Sequence, residues 1–248
     1  AILKDNTKFG MSETHKIKAD HEVFYKDEFK TIPVVKQLLD KAYKQLGSSG
    51  GGNHFVEFGI VKLDNPLPEW KLEAKEYVAV LSHSGSRGLG ANIAKHYTYL
   101  ASKQCPLPKN VQHLAWLDLN THDGQEYWMA MNLAGEYAKA CHEDIHRRLA
   151  KALGKRIVVT IENHHNFAWK EMVDGKECIV HRKGATPAAK GQLGIIPGSM
   201  TAPGFIVMGK GNEDSLQSAS HGAGRLFSRA KCKATFTQSQ IKKVLADN

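Results

Sequence analysis

The sequence lacks the long apolar runs of a membrane-spanning helix. No uninterrupted apolar stretch in its 248 residues approaches the roughly 18 to 20 residues that cross a bilayer. The opening residues, AILKDNTKFG, also lack the basic start and the apolar stretch of a secretory signal. We therefore expect a cytoplasmic protein with no membrane partner.

Cysteine is scarce, and the four that occur are far apart in the sequence. Zinc ribbons require closely spaced CxxC pairs, which this sequence does not contain. Disulfide frameworks are typical of short secreted chains that are rich in cysteine. The pattern argues against both classes and indicates reduced thiols at Cys105, Cys141, Cys178 and Cys232.

The charge balance favours a polyanionic partner. Lys and Arg number 34 against 25 Asp and Glu, so the formal net charge is +9 at pH 7. Hydrophobic residues make up 42% of the chain and charged residues 24%, a composition that is typical of a soluble globular protein and excludes disorder, collagen and coiled coil. Nucleic acid or a nucleotide is the partner that such a charge attracts.

The hydrophobic pattern predicts strands and helices that are interspersed along the chain. The run HFVEFGIV after Asn53 alternates with a period of two, which predicts a strand with one apolar face formed by His54, Val56, Phe58 and Ile60. Further strands are predicted at 77–85, 156–162, 178–180 and 205–208. Helices are predicted at about 32–45 and 123–153 and after Thr237, which can cap its helix. The pattern indicates an α+β fold with mixed sheets, as a single domain over residues 1–248.

Five histidines lie at the ends of predicted strands or in glycine turns, namely His54, His83, His164, His165 and His221. Imidazole is the commonest protein ligand for transition metals, and three from separate strands can hold a divalent ion. A hydrogen-bonded core or surface histidine is the alternative at each position. Adjacent residues of an extended chain point in opposite directions, so at most one of His164 and His165 reaches a given metal. Seven others are interpreted as surface residues, namely His15, His21, His96, His113, His122, His142 and His146.

Glycine turns carry a second signal. The segments HSGSRG, HRKGA, IPGSM and SHGAGR offer backbone N–H groups, hydroxyls and basic side chains, which hold phosphate oxygens. No Walker loop occurs, nor a GxGxxG between a strand and a helix. His221 stands out because a neutral imidazole attacks activated phosphorus, and the small residues after it leave room for a phosphate. A metal ligand or a phosphate hydrogen-bond donor is the alternative for His221.

The glycine run GSSGGGN at 47–53 has two interpretations. It is either a flexible linker or a loop whose backbone comes close to other groups. The strand that follows it directly favours the loop.

These motifs, in this order, resemble the RtcB RNA ligases. The resemblance runs from GGGNHFVEFG through HSGSRGLG, ENHHN, HRKGA and GQLGIIPGSM to GNEDSLQSASHGAGRLFSR. It implies an enzyme that uses GTP and two Mn²⁺ ions to join RNA 2′,3′-cyclic phosphate or 3′-phosphate ends to 5′-hydroxyl ends. It also implies mixed sheets and surrounding helices about a central metal and nucleotide cleft.

The resemblance implies roles for individual residues. His221 resembles the nucleophile that becomes linked to GMP, and the manganese ligands correspond to His54, His83 and His165. The segments that surround the guanylate correspond to Asn53, His54, Phe55, Val56, Glu57, His165, Asn166, Pro197, Gly198, Ser199, Met200, His221, Gly222, Ala223 and Gly224. Contacts to RNA or phosphate are expected from Arg87 and from the basic residues of the other turns, Arg182, Lys183 and Arg225.

The resemblance also implies partners. RNA with broken ends, either tRNA halves or damaged RNA, would be the substrate, and an archease-like protein would be an activator of a monomeric or homodimeric ligase. The family carries an upstream Asp-x-x-Cys and a C-terminal lysine that this sequence does not show, so we expect a fragment. An RNA-binding remnant without catalysis and a metal-dependent cyclic phosphodiesterase stay open as alternatives.

Overall fold

The computed structural model describes residues 1–222, 224 and 226–246. They form two compact units, Ala1–Val159 and Thr160–Asn248. Both helices and short sheets are present, which confirms the α+β prediction. The single-domain assignment stays a prediction, since two compact units can belong to one catalytic domain.

The first unit contains five α-helices and four strands among its described residues. The helices are α1 (Ile2–Asn6), α2 (Glu28–Thr31), α3 (Pro33–Gln45), α4 (Arg87–Gln104) and α5 (His122–Ala152). The strands are β1 (Lys8–Phe9), β2 (Ser48–Ser49), β3 (Phe55–Lys62) and β4 (Glu76–His83). Strands β1 and β2 pair in parallel, and β3 and β4 form an antiparallel hairpin.

The core of the first unit is built around α5, which confirms the predicted long helix. Thr121 caps its start by accepting a hydrogen bond from the Gly124 N–H at 3.2 Å. One face of α5 is buried and includes Leu133, Tyr137, Cys141, Ile145 and Leu149. Most of this face packs against α3 and α4 in one apolar cluster, while Ile145 and Leu149 pack under the β3–β4 hairpin. Each fully buried side chain of this size stabilises the fold by roughly 1.5–3 kcal/mol.

Helix α4 was not predicted from the sequence. Glycines at 88 and 90 weaken the helix signal of this segment, because glycine lowers helix propensity by about 1 kcal/mol relative to alanine. Tertiary packing compensates for this, since Leu89, Ile93 and Tyr97 are buried in the apolar cluster. Gly90 has no space for a side chain, since a Cβ would lie 1.9 Å from Ser86 Oγ.

The β3–β4 hairpin confirms the two predicted strands, but it is buried at one end only. Val56 is buried, whereas Ile60 is 71% exposed and its cross-strand partner Val78 is 77% exposed. Only the end of the hairpin near Val56 lies over α5, where Ile145 and Leu149 cover it. The face that carries Val56, Phe58 and Ile60 is therefore covered only at its Val56 end, because the far end of the hairpin extends beyond the helix.

The second unit is rich in antiparallel strands. Its strands are β5 (Asn166–Val173), β6 (Lys176–Lys183), β7 (Ala185–Pro187), β8 (Leu193–Ile196), β9 (Phe205–Met208) and β10 (Ser218–Ser220). Strands β5–β6, β8–β9 and β7–β10 form pairs. Two helices follow, α6 (Arg229–Thr235) and α7 (Gln238–Ala246). The predicted cap of α7 is confirmed, since Thr237 Oγ1 accepts from the Gln240 N–H at 3.3 Å.

The predicted strand at 156–162 is absent, so this prediction was wrong. Its β-branched residues favour extended structure, but a strand also requires a hydrogen-bonded neighbour and packing on at least one face. No described strand pairs with this segment, and Val158 is 67% exposed.

None of the described helices combines the length and the apolar composition needed to cross a bilayer. The cytoplasmic location stays a prediction.

Arg182 on β6 is an internal anchor of the second unit. It is 4% exposed, and it donates to both carboxylate oxygens of Glu171, at 2.6 and 2.8 Å. It also donates to Ser218 Oγ at 2.7 Å and to the Leu216 carbonyl at 2.8 Å, and its guanidinium lies over the Trp169 ring. This arrangement corrects the expectation that Arg182 contacts RNA, because its donors are directed into the fold.

Replacement of Arg182 by lysine should destabilise the second unit. Lysine keeps the charge but cannot reproduce the planar fork, so Glu171 would lose one of its two hydrogen bonds. We expect Arg182→Lys to lower the free energy of unfolding by about 1–3 kcal/mol, the usual cost of leaving buried hydrogen-bonding groups without a partner. Urea unfolding followed by circular dichroism measures this. The matched control is Arg156→Lys at an exposed position, and equal losses in both variants would contradict the assignment.

Burial of His146 predicts a pH dependence of stability. Burial lowers the pKa of His146 below its ordinary value of 6.5. The unfolded chain therefore binds a proton first as the pH falls, so the free energy of unfolding should decrease below about pH 6.5. His146→Gln should show a smaller decrease between pH 8 and 5.5 than the wild-type chain in urea unfolding. His122→Gln, at an exposed position of the same helix, should keep the full decrease; a full decrease in both variants would refute the prediction.

Candidate functional site

The first unit brings two of the predicted metal ligands together. His83 is the last residue of β4, and its cross-strand partner Phe55 is the first residue of β3. His54 immediately precedes Phe55, so the two imidazoles lie at the same end of the hairpin. Their ring centroids are 6.0 Å apart, and the Phe55 ring lies 5.5 Å from the His83 ring. Both histidines are half-buried.

The glycine loop before β3 lies directly against this pair. A Cβ on Gly50 would lie 1.8 Å from His54 Nδ1 and 2.6 Å from Arg87 Nη1. Only glycine fits at such a distance. The close-approach interpretation of GSSGGGN is therefore confirmed at Gly50.

Arg87 links the glycine loop at 47–53 to the chain at Gly10. Its guanidinium donates to Ser48 Oγ at 3.0 Å and to the Gly10 carbonyl at 2.5 Å. Burial lowers its pKa from the ordinary value, and its φ of 52° lies in the left-handed region, where a residue other than glycine is uncommon. Two of its contacts thus hold loops of the first unit. Its contact with RNA or phosphate stays a prediction.

Two further side chains hold the loops, and sequence reasoning missed both. Buried Gln45 accepts from the Gly88 N–H at 2.9 Å and donates to the Met11 carbonyl at 3.3 Å. Buried Ser48 donates to the Gln45 carbonyl at 2.6 Å. The sequence carries no signal for these bonds, because folding alone brings the partner groups close.

The second unit brings His165 and His221 together. Their ring centroids are 4.8 Å apart. The main chain of Gly184 lies beside them: its N–H donates to the His165 carbonyl at 2.8 Å, and its carbonyl accepts from the His221 N–H at 3.3 Å. Gly184 has a φ of +68°, which favours glycine at this turn.

The His221 ring is fixed in one tautomer. Its Nδ1 lies 2.8 Å from the Gly184 carbonyl oxygen, which can only accept a hydrogen bond. Nδ1 therefore carries the hydrogen, and in the neutral ring Nε2 keeps its lone pair. An imidazole with a free nitrogen lone pair is the form that acts as a nucleophile.

The adjacent His164 has different neighbours from His165. Its ring lies 5.6 Å from the Phe167 ring, and its Nε2 lies 3.9 Å from Glu162 Oε1. The ring contact with His221 belongs to His165. That at most one of the two imidazoles reaches a given metal stays a prediction.

The residues expected around the guanylate are distributed over both units. In the first unit, the Val56 side chain packs in an apolar cluster, to which Asn53, Phe55 and Glu57 do not belong. In the second unit, a Cβ on Gly222 would lie 3.3 Å from the Pro197 carbonyl, so the turn after His221 adjoins the IPGSM segment. In that segment Met200 is 81% exposed. Asn166, Gly198, Ser199 and Gly224 are also described, whereas Ala223 and Arg225 lie outside the described residues. The nucleotide contacts stay predictions.

Asn163 was not identified as a site residue from the sequence, although it directly precedes His164 and His165 in the chain. Its side-chain amide donates to the Ile195 carbonyl and accepts from the Ile195 N–H, both at 3.1 Å. This pair of hydrogen bonds resembles the pairing of two residues in a β-ladder. It ties the ENHHN segment to β8, which leads directly into Pro197.

The metal centre itself stays a prediction. Within the part of the chain that the structure describes, no group of three or more His, Cys, Asp or Glu side chains is arranged to hold a metal ion. The pair formed by His54 and His83 nevertheless fits a shared ion, because imidazole–metal bonds of about 2.0–2.1 Å bring ligand rings to separations of this order.

Comparison with known proteins agrees with the motifs. A family model described as tRNA-splicing ligase RtcB matches residues 1–248. An Escherichia coli protein named RNA-splicing ligase RtcB1 is 37% identical over 217 residues, covering 81% of this chain and 50% of that protein. The tRNA-splicing ligase RtcB of Nanoarchaeum equitans is 34% identical over 236 residues, covering 82% of this chain and 49% of that protein. The chain thus spans about half the length of these curated relatives. On this evidence, the chain belongs to the RtcB family.

Proposed function

We propose that this chain carries the nucleophile and part of the metal site of a GTP- and manganese-dependent RNA ligase. The reaction joins an RNA 3′-phosphate, or a 2′,3′-cyclic phosphate after it is opened, to a 5′-hydroxyl. Membership of the RtcB family and the printed names of the relatives support this reaction class. The hydrogen bond from His221 Nδ1 to the Gly184 carbonyl is the observation that carries the proposal.

The tautomer of His221 determines which atom reacts. Nε2 attacks the α-phosphorus of GTP, a new N–P bond forms, and the bond from that phosphorus to the pyrophosphate oxygen breaks. The ring becomes cationic in this step, and the Gly184 carbonyl stabilises the Nδ1–H that shares the charge. An oxygen of the RNA 3′-phosphate then attacks the same phosphorus, and the bond from that phosphorus to His221 Nε2 breaks, so that GMP is linked to the RNA phosphate. In the last step the 5′-hydroxyl oxygen attacks the RNA phosphorus and loses its proton, and GMP leaves as the phosphodiester forms.

His54 and His83 would hold manganese through neutral imidazole nitrogens, and His165 is the further ligand that the resemblance gives. A bound manganese ion would supply Lewis-acid stabilisation of the phosphate oxygens. The Phe55 ring lies 5.5 Å from the His83 ring. The glycine loop and Arg87 keep His54 in place.

The basic character of the chain supports an RNA substrate. The net charge of +9 attracts the phosphate backbone, so binding should weaken steeply with salt. Lys183 is exposed at the end of β6, next to Gly184, and is available for a phosphate. We include broken tRNA or damaged RNA, and an archease-like activator, in this proposal.

Incubation with GTP labelled at the α-phosphate and Mn²⁺ should label the chain covalently. His221→Ala should abolish the label, because the attacking nitrogen is lost. The linkage should be labile in acid and stable in base, as expected for a phosphorus–nitrogen bond. His181→Ala, a matched change at an exposed histidine of the same unit, should label normally. Absence of label on the wild-type chain, or full label on His221→Ala, would contradict the proposal.

Two assays separate the ligase from its alternatives. A ligase needs GTP to join the ends, whereas a cyclic phosphodiesterase opens a 2′,3′-cyclic phosphate without GTP and stops there. A binding remnant would hold RNA in a salt-dependent manner, with no response to GTP or manganese. Joined product that depends on GTP is the expected result.

A further inference from the structure

Two histidines of α5 contact the end of β4 on either side of His83. His142 and His146 are four residues apart, so they lie on the same face of the helix. The Ser84 N–H donates to His142 Nε2 at 3.1 Å, and Ser82 Oγ lies 2.8 Å from His146 Nε2. Both rings are half-buried and 6.5 Å apart at their centroids. The interpretation of these two histidines as surface residues was therefore wrong.

The position of Ser84 explains why a side chain from α5 is needed there. The β3–β4 ladder ends at the pair Phe55 and His83. The first N–H beyond the ladder belongs to Ser84, and it takes its partner from the helix. The direction in which His83 leaves the strand is therefore held by the ladder on one side and by His142 on the other.

The chemistry of this bond restricts His142 to one form. A backbone N–H only donates, so Nε2 of His142 must accept and its hydrogen must lie on Nδ1. The Nε2 atom of His142 faces the Ser84 N–H just after β4, and that of His146 faces the Ser82 hydroxyl within β4. This excludes an interpretation of the pair as a metal site that uses those atoms.

We propose that His142 is a positioning residue for His83, with His146 supporting the same strand end at Ser82. The inference rests on the proposed function, in which His83 binds manganese. Groups that orient a ligating histidine, although they do not touch the metal, commonly change metal affinity by about 10–100-fold. A fixed main chain at residues 82–84 would act in the same way, by holding His83 in the direction that the ion requires.

The test compares two substitutions of His142 in the full chain. In His142→Leu the acceptor is lost, whereas His142→Gln places an amide oxygen near the position of Nε2. Mn²⁺ binding measured by calorimetry should weaken by about tenfold or more in the leucine variant and stay close to wild type in the glutamine variant. Hydrogen exchange of the Ser84 amide should be faster in the leucine variant alone. His122→Leu is the matched control, since it makes the same change at an exposed position of α5.

The outcomes distinguish this inference from the proposed function. If the wild-type chain binds no Mn²⁺, the metal part of the proposed function fails, and the role of His142 toward a metal ligand fails with it. If the wild-type chain binds Mn²⁺ and His142→Leu binds it equally, with slow exchange at Ser84, only the inference is overturned. Weak Mn²⁺ binding by both His142 variants, with circular dichroism spectra like wild type, would also overturn the inference. Loss of the hydrogen-bond acceptor at residue 142 would then not explain the weaker binding.

Discussion

The buried face of α5 is the constraint on which the first unit depends. Its apolar residues hold α3 and α4 in one cluster, and Ile145 and Leu149 extend the contact to the β3–β4 hairpin. The polar residues of the same stretch then contact the loops. Buried Asp144, paired with Arg148 at 2.5 Å, lies so close to Gly47 that a Cβ there would be 1.9 Å from its Oδ2. One helix therefore fixes both the hairpin and the start of the glycine loop.

Main-chain groups fix the protonation pattern of histidines in both units. In the second unit the Gly184 carbonyl accepts from His221 Nδ1, which leaves the lone pair of the neutral ring on Nε2. In the first unit the Ser84 N–H donates to His142 Nε2, so the hydrogen of that neutral ring also lies on Nδ1. Main-chain partners suit this purpose because adjoining strands and loops hold them in place, whereas long side chains must lose rotamer entropy to do so.

The arginines show how little a positive net charge says about individual residues. Arg182 donates to Glu171, Ser218 and Leu216 inside the second unit, although its segment HRKGA has a composition that suits phosphate binding. Arg87 holds two loops of the first unit. Exposed Lys183, which follows Arg182 directly, has the opposite environment. Alternation along β6 decides this difference, since neighbouring residues of a strand face opposite sides.

The amino-acid sequence was enough to predict the family, the α+β class, the long α5 helix and the strands of the hairpin. Each of these depends on local spacing or on an ordered set of motifs, which one chain displays without folding. The folded structure was needed to show which histidines are neighbours, which tautomer His221 adopts, and that Asn163 and Gln45 hold loops and His142 holds the end of β4. The structure was also needed to show that one end of the hairpin is exposed and that no strand forms at 156–162. These properties depend on contacts between residues tens of positions apart, and no periodicity within a segment contains that information.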